Sequence, residues 1–263
     1  FMDAEKITMK KIGLVLSGGG VRGFAHLGLL KYLDELGIKI HAISGVSAGA
    51  IAGVLYAAGY KPHTIFEIMK KSKYFSYSGF SLRREGLFPM EPMKKTLHKL
   101  IPDDSFEKLK IKFFVTATDF TNDTAVTFAK GKLIETVIAS ASVPVIFEPV
   151  RINGSVYFDG GLLNNLPVEP LKKTCDTIIG CHVNKIDTNP VKTSKLSKSS
   201  ILEKCFHMAI EETVYKKGKE CDVFIEPLLS DYNMFDTAPA EKIFKIGYEE
   251  AAKFKKHLSA LAD

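Results

Sequence analysis

Apolar positions along this chain alternate between short continuous runs and helical spacing, with glycines at the joins. Lys11 to Leu16 is an apolar run that meets Ser17-Gly18-Gly19-Gly20, which predicts a short, fully buried strand. Val21 to Leu36 then places Ala25, Leu29, Leu33 and Leu36 at helical spacing, with Gly37 as a C-terminal cap. Ile38 to Ile43 predicts a second strand, and Ser47 to Ala58 a helix of small residues that ends at Gly59. Strand-turn-helix repeated in this way is the pattern of a parallel, doubly wound sheet.

The order continues more loosely. Helices are predicted at Pro62 to Ser72, Glu91 to Leu100, Leu133 to Ser140 and Ile201 to Lys217, with a closing amphipathic helix from Pro239 to Leu261. Strands are predicted at Lys112 to Ala117, Ser155 to Phe158 (an edge strand), Thr177 to Val183 and Asp222 to Glu226. Tyr74 to Met90 is irregular and aromatic. Asn184 to Ser200 is rich in Lys, Ser and Thr and reads as a mobile surface loop. The reading is one α/β domain over residues 11–263, with residues 1–10 an N-terminal extension whose Phe1 is an added remnant. No internal repeat is visible.

Composition narrows the class. With 46% hydrophobic and 25% charged residues, the chain is neither disordered, collagen-like nor disulfide-stapled. At 263 residues it buries roughly 74% of its unfolded surface, enough for a sizeable core. A net charge of +6 suits an anionic surface, such as phospholipid headgroups, but no basic stripe marks a nucleic-acid binder. Cys175, Cys181, Cys205 and Cys221 lack C-x-x-C spacing, so reduced thiols in a cytoplasmic protein are expected.

Two apolar stretches imitate targeting signals. Ile12 to Leu16 is too short for an export signal and is broken by the glycines. Ile40 to Tyr60 has no Lys, Arg, Asp or Glu and is long enough for a membrane span. Its glycines, with His41, Ser44 and Ser47, instead predict a buried strand, a sharp turn and a tightly packed helix.

The candidate chemistry sits at the strand-to-helix turns. In Ser17-Gly18-Gly19-Gly20-Val21-Arg22-Gly23, successive residues without side chains expose backbone N–H groups at a helix start, which suits an anion or a developing oxyanion. A dinucleotide reading of the same glycines lacks its acid, because the second strand ends in Ser44-Gly45. Gly45-Val46-Ser47-Ala48-Gly49 has the G-x-S-x-G form of a nucleophile elbow, where glycines two residues either side of the serine relieve collisions. Both turns leave the carboxyl edge of the sheet, and neighbouring parallel strands lie about 4.8 Å apart. Together they predict an acyl-transfer site with Ser47 as nucleophile.

The base is less evident. Of seven histidines, His182 at the end of a buried strand is the best candidate for a Ser-His-Asp arrangement, yet none sits in a triad signature. Asp159-Gly160-Gly161 places an acid on a turn able to approach another loop closely. Asp119 is a rival acid, expected to be structural. Arg22 is expected either to steady the glycine loop, to meet a phosphate, or to be solvated.

Taken in order, Gly18-Gly19-Gly20-Val21-Arg22-Gly23, Gly45-Val46-Ser47-Ala48-Gly49 and Asp159-Gly160-Gly161 resemble the patatin-like phospholipases, and most closely their small bacterial members. Ala117-Thr118-Asp119, the run from Ala139 to Pro144, Phe147-Glu148-Pro149 and, more loosely, Ile246-Gly247-Tyr248 extend the resemblance. It implies a three-layer α/β/α fold with a mostly parallel central sheet. It also implies a Ser47–Asp159 dyad, an oxyanion hole of Gly18, Gly19, Gly20 and Val21, and Gly45, Gly49, Gly160, Gly161 and Arg22 as supporting residues. The substrate implied is a phospholipid, lysophospholipid or other lipid ester, with neither metal nor cofactor required. Burial is expected to raise the Asp159 pKa from about 3.9.

Lys70 to Met90 combines basic and aromatic residues as an interfacial flap would, although ordinary packing gives the same composition. Transient contact with an anionic membrane surface at the cytoplasmic face is therefore an expectation. Oligomeric state, headgroup and chain length are not legible. A catalytically silent lipid-binding module remains the alternative from another class.

Overall fold

The computed structural model describes residues 10–72, 88–186 and 198–262. At its centre β1 (Ile12–Leu16) alternates its side chains across the sheet. Ile12, Leu14 and Leu16 enter a large apolar core, whereas Val15 faces a smaller one. Burial on both faces is why this strand reads as a continuous apolar run.

Parallel partners flank β1 on both sides, namely β2 (Ile40–Gly45) and β7 (Thr177–Cys181). With β3 (Lys112–Asp119) beyond β2 and β8 (Val223–Ile225) beyond β7, the parallel set runs β3-β2-β1-β7-β8. The larger core is covered by α1 (Phe24–Glu35), α2 (Ala48–Ala57), α3 (Pro62–Lys71) and α8 (Ala240–Lys253). The smaller is covered by α6 (Glu169–Lys172) through Leu171 and by α7 (Lys198–Gly218) through Val214. The expected three layers follow, and the Ile40 to Tyr60 stretch is β2 and α2. Among the described residues no helix is long and apolar enough to cross a membrane.

Helices α1 and α8 cross backbone to backbone. A Cβ on Gly247 would stand 2.1 Å from the Ala25 carbonyl, and one on Gly28 2.1 Å from that of Phe244. The packing reason for Ile246-Gly247-Tyr248 is this crossing.

Differences from the sequence reading have local causes. The Ile38 N–H is donated to the Leu33 carbonyl, closing α1, so β2 starts at Ile40 and continues through Gly45. Gly20–Gly23 is a 3-10 turn that precedes α1, because the Val21 N–H is given to Met234. Antiparallel β4 (Thr124–Phe128) and β5 (Val150–Ile152) escape the pattern, since both are short and half-exposed. Consequently β6 (Ser155–Asp159) is not an edge strand: it pairs with β3 on one side and β5 on the other. The closing helix is interrupted at Phe254, after which α9 (Lys255–Ser259) returns Leu258 to the core. Helices α4 (Glu91–Leu100) and α5 (Ile134–Ser140) fall close to where they are expected. Most of the Lys70 to Met90 flap (residues 73–87) and most of the Asn184 to Ser200 loop (residues 187–197) lie outside the described residues.

Candidate active site

The elbow is strained as its motif requires. Ser47 has φ 52°, in the left-handed region that side chains rarely adopt, and caps the start of α2. Gly49 permits the turn, because a Cβ there would lie 2.4 Å from the Leu16 carbonyl oxygen. Gly45 is packed against the backbone of Gly49 and Ala50 in the same way. The conformation is held from α5: the Ser47 N–H donates to Ser140 Oγ at 3.0 Å, and that hydroxyl donates to the Thr116 carbonyl at 2.6 Å.

Strand register delivers Asp159. Along β3, Val115 has Gly45 on one side and Phe128 of β4 on the other. Ala117 to Asp119 have β4 on that same other side and β6 on the first. Strand β6 therefore takes up the edge that β2 leaves when the chain turns into α2, and it arrives from the opposite direction. Its last residue, Asp159, pairs with Ala117. The two strand ends thus face each other along one edge.

Asp159 is held by backbone on both sides. Its N–H donates to the Ser142 carbonyl at 2.9 Å, and its own carbonyl accepts the Thr118 hydroxyl at 2.9 Å. Oδ1 accepts the Gly161 N–H at 2.8 Å. Burial pushes the carboxyl up to about 6, against the Ser47 hydroxyl and the Gly161 N–H, which both favour the charged form. Oδ2 is buried with no partner in good hydrogen-bond geometry among the described residues, so the Ser47 contact is loosely aligned. At Gly160 a Cβ would stand 2.1 Å from the Thr116 carbonyl oxygen, so the turn lies directly on β3.

The glycine loop meets the elbow: a Cβ on Gly18 would be 3.1 Å from Ser47 Cβ. Two of the four expected oxyanion donors are already engaged. The Gly18 N–H donates to Asn165 Oδ1 at 3.1 Å, and the Val21 N–H to the Met234 carbonyl at 2.8 Å. Carbonyls of the loop are held as well. That of Gly18 accepts from Ser17 Oγ at 3.0 Å and Asn184 Nδ2 at 2.7 Å, and that of Gly19 accepts the Arg22 N–H at 3.1 Å. In a trans peptide the N–H points opposite to the C=O. Fixing these carbonyls therefore aims the Gly19 and Gly20 N–H groups away from them, and neither has an acceptor among the described residues.

Arg22 is buried, which removes the solvated reading. Its Nε donates to the Tyr232 carbonyl at 2.9 Å and an Nη to Asn184 Oδ1 at 3.4 Å, so it braces the loop through Asn184. Asp119 accepts the backbone N–H groups of Thr121 and Asn122, as expected of a structural turn. His182 stands beyond Ser17, on the far side of β1 from β2, with Nδ1 3.0 Å from Glu226 Oε1.

Sequence reasoning missed Ser140, Asn165, Asn184 and His26 as contributors. The fully buried His26 donates Nε2–H to the Ser17 carbonyl at 2.8 Å, and burial pushes it down to about 4, so its ring is neutral. Only the Ala139 to Pro144 motif carried a signal for any of them.

A serine on a strained elbow opposite a buried carboxylate, at the carboxyl edge of a doubly wound sheet, places the molecule among the α/β folds that gather their functional loops at that edge. Within that class the chain belongs to the patatin-like phospholipase family, which it matches over residues 14–172. It is similar to lysophospholipase NTE1 of Candida glabrata, 28% identical over 99% of this chain and 17% of that protein. The NTE1 of Yarrowia lipolytica is 31% identical over 72% of this chain and 14% of its own length. The chain thus spans under a fifth of these relatives. In fold it is similar to VipD of Legionella pneumophila, with a TM-score of 0.59 at 16% identity, covering 95% of this chain and 67% of that one. The type III effector ExoU gives 0.52 at 12% identity, over 95% of this chain and 54% of the effector.

Proposed function

We propose that this chain is a serine lipid acyl hydrolase that cleaves lysophospholipid, phospholipid or related lipid esters through Ser47 and Asp159. The observation that carries the reading is the buried Asp159 carboxyl, raised toward neutrality and facing the hydroxyl of a serine on a strained elbow. The substrate class rests on the family and on the lysophospholipase relatives.

In the first half-reaction Ser47 Oγ bonds to the ester carbonyl carbon and its proton passes to Asp159. The carbonyl oxygen becomes an alkoxide facing the Gly19 and Gly20 N–H groups, with the positive end of α2 adjacent. Collapse expels the alcohol, which takes the proton back from Asp159. Water then attacks the acyl-enzyme, its proton going to Asp159; the bond from the acyl carbon to Ser47 Oγ breaks, Asp159 returns that proton to Oγ, and the fatty acid leaves. A carboxyl near 6 suits this exchange better than an ordinary one, because it is a stronger base yet ionised at neutral pH. Gly18 and Val21 contribute by holding the loop, since their N–H groups are engaged. The net positive charge favours approach to an anionic lipid surface.

Intact-mass spectrometry after treatment with a fluorophosphonate tests the reading. One adduct is expected, mapping to Ser47, absent in Ser47→Ala and slowed in Asp159→Asn. A folded wild type that takes no adduct would favour a lipid-binding module without turnover.

A further inference from the structure

Asn165 places a buried side-chain amide beside Gly18 and Ser47. The residue is 2% exposed, and its Oδ1 accepts the Gly18 N–H at 3.1 Å. Only the amide oxygen can accept that proton, so this bond fixes which branch is Oδ1 and which is Nδ2. Nδ2 has no hydrogen-bond partner among the described residues. The amide also adjoins the nucleophile: the position a Cβ on Gly18 would take is 2.6 Å from Asn165 Oδ1 and 3.1 Å from Ser47 Cβ. The neighbouring Asn164 shows the ordinary alternative, with Nδ2 donating to Glu169 at 3.2 Å and Oδ1 accepting from Lys217 at 2.6 Å.

Native interiors rarely leave an amide donor unmatched, and such a group at a reaction centre is the complement of an acceptor that a ligand brings. Lipid esters bring one, the carbonyl oxygen that Ser47 turns into an alkoxide. We propose that Asn165 is a catalytic residue whose Oδ1 anchors Gly18 while its Nδ2–H donates to that alkoxide, adding a side-chain donor to those of the glycine loop. The inference rests on the Ser47–Asp159 reading. It divides the two branches of one amide between holding the loop and stabilising the transition state, so the two roles can be separated by substitution.

Asn165→Asp retains an oxygen to accept the Gly18 N–H but loses the donor, whereas Asn165→Ala loses both. The proposal expects each variant to lose about 10²-fold or more in kcat, the usual effect of removing an oxyanion donor, with KM within a few-fold of wild type. Affinity for a trifluoromethyl ketone analogue, which presents an oxyanion, should fall in parallel with kcat. A purely anchoring Asn165 predicts instead that the Asp variant works nearly as well as wild type while the Ala variant fails, and that result overturns the proposal. An observation on wild type guards against misfolded variants. With 15N-labelled asparagine, the Asn165 Nδ2 protons should move strongly downfield when the ketone adds to Ser47, and an unmoved resonance counts against donation. Fluorophosphonate labelling separates the two levels: unlabelled wild type removes the dyad reading and this inference with it, while a labelled wild type with a fully active Asp variant removes this inference alone.

Discussion

Gly45 and Asp159 end two strands that converge on the same edge of β3, their pairing partners Val115 and Ala117 lying two residues apart. At about 3.3 Å per residue the strand ends are separated by about 7 Å, the span that the elbow and the acid turn fill. Parallel β2 and antiparallel β6 can meet in this way only because β2 leaves the sheet at Gly45. The site is thus a consequence of sheet topology, and its acid is drawn into the interior by backbone pairing.

If Ser47 and Asp159 act as proposed, that burial sets the pH dependence of hydrolysis. In the proposed reaction Asp159 accepts the Ser47 proton only when ionised, and its pKa is pushed up to about 6. The ratio kcat/KM, which reports the free enzyme, should therefore climb about tenfold per pH unit below that value and level off above it. Initial rates on a soluble, uncharged ester between pH 4.5 and 8 check this. A profile flat down to pH 4.5 would show that the base does not titrate near 6, against a raised Asp159 pKa.

The same shift predicts a trade between stability and activity. The folded pKa lies above the ordinary 3.8, so the fold favours the protonated carboxyl. There is no cost below 3.8, where both states are protonated; the cost grows as pH rises through that window and is complete above about 6. At about 1.4 kcal/mol per unit, it reaches on the order of 3 kcal/mol at neutral pH. Asp159→Asn should therefore be inactive yet more stable than wild type at pH 7.5, with the gain vanishing near pH 4. Urea melts at the two pH values measure the difference.

Ser140 should couple the elbow to β3. Its hydroxyl accepts the Ser47 N–H and donates to the Thr116 carbonyl. Ser140→Ala leaves both groups unmatched in the interior, at a cost on the order of 1–3 kcal/mol, and frees the strained Ser47 backbone to relax. We expect kcat to drop about tenfold with little change in KM, a loosened elbow misplacing the nucleophile by a fraction of an ångström. Steady-state kinetics with a thermal melt on one sample decide the matter, because unchanged kcat in a destabilised variant would reduce Ser140 to a structural residue.

What was legible in the sequence follows from how local each signal is. Strand β1, the elbow and the acid turn announce themselves through contiguous apolar residues and glycines, since burial on both faces and tight turns act over a few residues. Strands β4 and β5 are half-exposed partners of other strands and carry no such pattern. The head-on approach of β6 is equally hidden, because it depends on which edge of β3 is vacated. Likewise the engagement of Gly18 and Val21 depends on Asn165 and Met234, which are remote in sequence and brought close only by the fold. Motif spacing indicates which backbone amides stand near the site; tertiary contacts decide which of them are left to act.

His182 supplies the contrast that separates a dyad from a triad. It follows the last residue of β7, opposite Ser17, with β1 between it and the elbow, and its Nδ1 is engaged by Glu226, the residue after β8. Its ring is stacked on Phe224, with centroids 6.5 Å apart and planes 8° from parallel. These contacts lie toward the β8 end of the sheet, whereas Asp159 ends β6 beyond β2. His182→Ala should therefore keep kcat within a few-fold of wild type while losing on the order of 1–3 kcal/mol of stability, from the cavity and the unmatched Glu226. Fluorophosphonate labelling rates for this variant and for Asp159→Asn, measured side by side, discriminate the readings. A dyad slows only the aspartate variant, whereas equal slowing in both would restore a histidine base.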